Sequence, residues 1–75
     1  MEKITKNSTN EFRIATVEFK GKVYVDVREW YMPEGGDEWR PSKKGIRVSL
    51  EVFEQLKEAF NNLDTSKIDQ GEDIQ

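Results

Sequence analysis

Apolar and polar residues alternate along two neighbouring stretches of the chain. In 22–31 (KVYVDVREWY), Val23, Val25 and Val27 share one parity, while Lys22, Tyr24, Asp26, Arg28 and Trp30 share the other. A period of two places successive side chains on opposite faces of a strand, and the β-branched content suits a half-buried antiparallel strand. In 11–19 (EFRIATVEF), Phe12, Ile14 and Thr16 alternate with Arg13, Ala15 and Val17. Lys20-Gly21-Lys22 joins the two stretches, and Gly21 is free to take a positive φ. The pattern predicts a β-hairpin.

Beyond it, Met32-Pro33-Glu34-Gly35-Gly36-Asp37 reads as a loop, because Pro interrupts a ladder and two glycines follow. Glu38-Trp39-Arg40 is expected as a short third strand, Pro41-Ser42-Lys43-Lys44-Gly45 as a second turn, and Ile46-Arg47-Val48 as a short fourth strand. Leu50 to Leu63 is the one helical stretch. Leu50, Phe53, Leu56, Phe60 and Leu63 recur at helical spacing, Ser49 suits the N-cap, and Glu51 sits well in the first turn. Four strands followed by a helix is an α+β layout, with the helix on one sheet face.

Composition narrows the function classes. The chain has 75 residues, with no His and no Cys. Disulfides, Cys/His zinc sites, thiol catalysis and a histidine general base are therefore out of reach. Glu34, Asp37 and Glu38 form an acidic loop with no nucleophile beside it, so an enzyme, a metal site or a cofactor is not expected. A domain this short buries roughly 60% of its unfolded surface and is marginal alone, which favours a symmetric oligomer. Residues 1–10 (MEKITKNSTN) read as a polar N-terminal arm, 11–63 as the folded domain, and 64–75 (DTSKIDQGEDIQ) as an acidic, disordered tail. The arm holds no apolar run of signal-peptide length, and no stretch reaches the ~20 apolar residues of a membrane span, so an intracellular protein with no membrane role is expected.

The net charge of −3 argues at first against a nucleic-acid partner. Its location changes that. Residues 64–75 carry one lysine against four acids, and residues 1–63 carry eleven basic and eleven acidic side chains. The −3 is the tail, which is either a solubilising end or an acidic mimic competing for a basic face. Within the domain, Arg40, Lys43, Lys44 and Arg47 follow one another with no acid between them, and Lys20, Lys22 and Arg28 lie on the hairpin. Phe19, Tyr24, Trp30, Tyr31 and Trp39 are interleaved with these cations. Such a mixture is either core rings with solvated edge charges, or a platform for single-stranded nucleic acid, where bases stack on rings and cations neutralise the backbone. Trp30 shares parity with Lys22 and Arg28. Tyr31 has the other parity and joins that surface only through a bulge or the strand end near Met32-Pro33.

These residues resemble a known family. Phe19-Lys20-Gly21-Lys22-Val23, then Val25-Asp26-Val27-Arg28-Glu29, an aromatic pair and Met32, then Pro41, Lys43-Lys44-Gly45-Ile46 and Phe53-Glu54-Gln55-Leu56-Lys57-Glu58 are similar to the signature of the transcriptional coactivator positive cofactor 4 family, over roughly residues 12–63. The resemblance implies a curved four-stranded antiparallel sheet followed by one C-terminal helix. It further implies a two-fold homodimer that binds single-stranded or melted DNA with little sequence preference and acts as a coactivator. Phe19 and Tyr31 would be stacking rings, with Trp30 beside them in an order exchanged relative to the eukaryotic pattern. Lys20, Lys22, Arg28, Arg40 and Lys44 would meet phosphates, with Lys43 beside them. Trp39 stands where the family has a flexible apolar residue, and the loop is one residue longer at Gly35-Gly36. A single-strand-binding accessory of replication or recombination, an RNA-binding protein and a module docking transcription or replication machinery remain alternatives. The compartment would be the nucleus in a eukaryote, and the cytoplasm or nucleoid in a bacterial or viral setting.

Overall fold

The computed structural model describes residues 1–68. Strands β1 (Glu2–Asn7), β2 (Asn10–Phe19), β3 (Lys22–Tyr31) and β4 (Arg40–Ser49) precede one helix, α1 (Leu50–Asn62). The strands lie in sequence order in one open antiparallel sheet. The α+β layout holds, but two of its four strands are not those that the alternation marks.

The hairpin matches expectation. Phe19 pairs with Lys22, so Lys20-Gly21 is a two-residue turn, with φ of 53° and 78°. Two successive positive φ values define the turn whose twist suits a right-twisted ribbon, and Gly at the second place removes half the steric cost. From that turn the β2–β3 register runs without a shift to Asn10↔Tyr31.

Within residues 1–10, expected as a polar arm, Glu2–Asn7 is a strand. β1 pairs with β2 from Glu2↔Ile14 to Asn7↔Asn10. All six of its residues are exposed, so no apolar alternation marks it. Backbone pairing and the Lys6 ammonium, 3.3 Å from the Glu29 carboxylate on β3, hold it in place. A polar edge strand also discourages pairing with another chain.

Pro41–Gly45, expected as a turn between two short strands, lies inside β4. On β3 two steps separate Arg28 from Trp30, whereas their partners Gly45 and Pro41 are four apart. The surplus residues form a bulge. Ser42 Oγ donates to the Glu29 carbonyl at 2.7 Å and accepts from the Lys44 backbone N–H at 3.0 Å, which satisfies groups the ladder leaves free. Pro41 is tolerated because β4 is an edge strand of this sheet. A Cβ on Gly45 would collide with the Val27 carbonyl oxygen and stand 2.9 Å from Arg28 Cα. This glycine permits a close approach of strands; it does not end one.

α1 starts where β4 stops. Ser49 is its N-cap and accepts from the Val52 N–H at 3.2 Å, and Glu51 lies in the first turn. The helix packs against β3 and β4. Only Phe53 and Leu56 of its apolar stripe are half-buried, while Phe60 remains 69% exposed. Val25, at 2% exposure, is the one fully buried apolar residue among those described. Among the described residues, no helix is long and apolar enough to cross a membrane. Of the expected disordered tail, Asp64–Lys67 forms a turn in which Asp64 accepts from the Ser66 N–H at 3.0 Å, and residues 69–75 lie outside the described residues.

Candidate nucleic-acid interface

The register divides the sheet into two unlike faces. Phe12, Ile14, Val23, Val25, Val27, Ile46 and Val48 share one, with Ile4 from β1. Arg13, Ala15, Val17, Phe19, Lys22, Tyr24, Asp26, Arg28, Trp30, Pro41 and Arg47 share the other. Lys3 joins this second face opposite Arg13, and Lys43 joins it at the bulge. It therefore carries six cations (Lys3, Arg13, Lys22, Arg28, Lys43, Arg47) against two carboxylates, Glu11 and Asp26. The apolar–polar alternation has become a charge separation across the thickness of a sheet.

The centre of the basic face is a concavity of about 450 Å³, lined by Arg13, Arg28, Trp30, Lys43 and Arg47 among others. Asp26 is buried beneath it. Its carboxylate accepts from Arg28 Nε at 3.1 Å and Nη2 at 2.9 Å, and from Arg47 Nε at 3.3 Å. The bidentate Arg28 bond outweighs desolvation and, with Arg47, holds the Asp26 pKa below its ordinary value; the same bond raises that of Arg28. Arg28 Nη1 reaches the Ser42 carbonyl at 3.0 Å, so this guanidinium also ties the β4 bulge to β3. Arg13 Nε donates to Glu11 at 2.6 Å, and its guanidinium carbon stands 4.0 Å over the Trp30 ring.

Phe19 is 52% exposed at the hairpin end of this face, with the Lys20 ammonium 5.3 Å from its ring. Of the residues singled out from sequence, Phe19, Lys22, Arg28, Trp30 and Lys43 thus come together on one face, and Lys20 stands at its tip. Tyr31, Arg40 and Lys44 do not join them. Tyr31 pairs with Arg40 at the parity of the apolar face, and Lys44 lines a hollow there with Phe12 and Ile46. The bulge that would have turned Tyr31 is on β4, so β3 keeps its alternation to the end. Trp39 is half-buried in the loop before β4.

The apolar face has its own buried carboxylate. Glu29 accepts from Asn10 Nδ2 at 2.8 Å and from Lys6 at 3.3 Å. Desolvation pushes its pKa up, but these bonds and the charges of Lys6 and Lys44 outweigh it, leaving the value lowered.

Arg13 and Arg47 are not among the site residues expected from sequence, although Arg47 belongs to the run of four cations, and a signal existed for Arg13. A two-residue turn at Lys20-Gly21 fixes every β2–β3 pair, and the pairing sets Arg13 opposite Arg28. Arg47 had a signal too: it stands between Ile46 and Val48, and alternation sets it on the face opposite theirs.

An open sheet face rich in cations, with ring faces at intervals, can neutralise a polyanion and stack unpaired bases. Known proteins share the fold and part of the sequence. The chain is 42% identical over 53 residues to a putative RNA polymerase II transcriptional coactivator of Caenorhabditis elegans, covering 69% of this chain and 43% of that protein, so it spans less than half of that relative. A solved structure of a PC4 homologue from Burkholderia pseudomallei superposes with a TM-score of 0.73 at 28% identity, covering 81% of each chain. The bacteriophage T5 homologue of the eukaryotic coactivator PC4, implicated in recombination-dependent DNA replication, superposes with a TM-score of 0.63 at 32% identity, covering 79% of this chain and 70% of that one. Residues 6–59 match the family described as Transcriptional Coactivator p15 (PC4), and the chain belongs to that family.

Proposed function

We propose that this protein binds single-stranded or melted DNA without sequence preference, as a two-fold homodimer, through the basic face of its sheet. The observation that carries this reading is the segregation of six cations and the exposed Phe19 ring onto one face, opposite the valine and isoleucine cluster of β2, β3 and β4. Duplex DNA has no free base faces, so the rings favour a single strand. The homodimer is supported by what one protomer leaves uncovered: Ile46 at 49%, Val52 at 42%, Phe60 at 69% and Leu63 at 60% exposure. A second copy is the partner that a marginal core of this size calls for.

In the cell, this binding serves transcription, as a coactivator contacting the transcription machinery. The phage relative implicated in recombination-dependent DNA replication favours a second reading, an accessory that coats single strands in replication or recombination. RNA offers equivalent base faces and phosphates, and competition between matched DNA and RNA oligonucleotides separates the two through the 2′-hydroxyl.

Titration of oligothymidine against duplex DNA over a salt series, read by tryptophan quenching, tests the proposal. With about four phosphates met per protomer, log K falls against log salt with a slope near −3 for single strands. Absence of quenching and of any complex at low salt would overturn it. Sedimentation equilibrium checks the dimer.

A further inference from the structure

Arg13 and Arg28 face each other across β2 and β3, an arrangement that disfavours pairing unless each guanidinium has another partner. Arg28 turns to Asp26. Arg13 turns the other way, along its own strand, where Glu11 accepts from its Nε at 2.6 Å. Glu11 is the residue directly opposite Trp30 in the register, so this bond carries the guanidinium over the indole, 4.0 Å from the ring centre. Arg13 and Glu11 side chains are each only 13% exposed. Lys22 and Lys43, on the same face, are exposed and, among the described residues, have no carboxylate within ion-pair distance.

We propose that Arg13 is a positioning residue for Trp30, not a phosphate ligand: pinned by Glu11, it clamps one face of the indole and fixes the ring that takes part in base stacking. The inference rests on the single-strand reading above. Its charge is already matched by Glu11, and its planar group lies on the ring. A planar guanidinium stacks on an indole in a way that an ammonium on a flexible stem does not. Holding the ring before a base arrives lowers the ordering cost of binding. The face thereby divides its cations into two kinds, those that meet the backbone and one that holds a ring.

Arg13→Lys and Arg13→Gln separate the roles. Lys keeps the charge and loses the planar stack; Gln loses the charge. The measurements are oligothymidine affinity over a salt series, and 15N relaxation of the Trp30 indole N–H in the free protein. Both variants are expected to bind about three- to tenfold more weakly, the range of a partly desolvated cation–π contact. Both are expected to leave the salt slope unchanged and to mobilise the Trp30 indole. The proposal is overturned if Arg13→Lys matches the unsubstituted protein in both measurements. It is also overturned if Arg13→Gln reduces the slope by about 0.7 while Arg13→Lys restores it, since that is the signature of a phosphate contact. If the unsubstituted protein fails to bind oligothymidine, the single-strand reading falls and this role with it, whereas normal binding by that protein together with either overturning result in the variants removes only the role of Arg13.

Discussion

The two faces of the sheet each bury one carboxylate and use it differently. On the basic face, Asp26 gathers two arginines and the face still carries an excess of positive charge. On the apolar face, Glu29 is met by one lysine and one asparagine, and the group serves as a staple from β3 to β1 and β2. A carboxylate among surplus cations orders them for a ligand. A carboxylate matched by its neighbours closes a structure. Burial is similar, 9% exposure for Asp26 and 6% for Glu29, so the charge around each sets the role.

The change that damages both faces together is Gly45→Ala. Its Cβ has nowhere to go but into the β3 backbone at Val27 and Arg28. Backbone cannot step aside as a flexible side-chain end can, so we expect a loss of roughly 2–3 kcal/mol in urea unfolding, as for overpacking at a tight site. The bulge goes with it, and both Lys43 and Lys44 lose their settings.

Next come the rings. Phe19→Ala removes an exposed ring from the basic face and is expected to cost about 1–3 kcal/mol in oligothymidine binding, with little change in unfolding. Tyr31→Ala removes a ring from the other face. If the faces divide as the register says, it costs less binding than Phe19→Ala. Equal losses by fluorescence titration would mean that the strand reaches Tyr31 by wrapping the sheet edge.

The carboxylates are separable by substitution and by pH. Asp26→Asn strands two guanidinium groups around a poor acceptor, and we expect a stability loss of roughly 1–2 kcal/mol, moderated because the Arg47 side chain is 47% exposed. Single-strand affinity should fall as well, since Arg28 loosens the bulge that aims Lys43. Glu29→Gln should loosen β1, seen as faster amide exchange there, with single-strand binding kept. Both folded pKa values lie below the ordinary ones near 3.9 and 4.3. A depressed carboxylate stabilises the fold fully above its unfolded value, and that stabilisation is lost as pH falls through the folded value. Thermal stability should therefore be flat from pH 7 to about 5 and fall below about pH 4, more shallowly in Asp26→Asn.

How far the sequence exposed this arrangement depended on which strand was being read. β3 and the hairpin were legible because one side of the ribbon is aliphatic and the turn is two residues long. β1 was not, because an edge strand exposed on both faces has no reason to alternate. β4 was concealed by its punctuation: Pro41 and Gly45 are turn residues by composition, yet one uses the freedom of an edge and the other the space where two backbones meet. Lys22, Arg28 and Trp30 could be placed on one face from parity alone. Lys43 and Lys44 could not, since parity fails at a bulge.

Those two lysines give the finest test of the comparison, because they are neighbours in sequence and differ chiefly in the face they join. Lys43 lines the basic concavity with Arg28, Trp30 and Arg47. Lys44 lies over the apolar side beside Ile46, close enough to the Glu29 carboxylate to help lower its pKa. Both are exposed, so substitution by alanine should change folding stability little. Net charge changes by the same amount in both variants, which cancels any general effect of the molecule's charge. A phosphate contact on a single strand is worth about 0.7 in the slope of log K against log salt. Lys43→Ala should reduce the slope by about that much and Lys44→Ala by distinctly less. Equal reductions would mean that the backbone path crosses the β4 edge and draws on both faces. A reduction in Lys44→Ala alone would reverse the assignment and make the face now called apolar the one that binds.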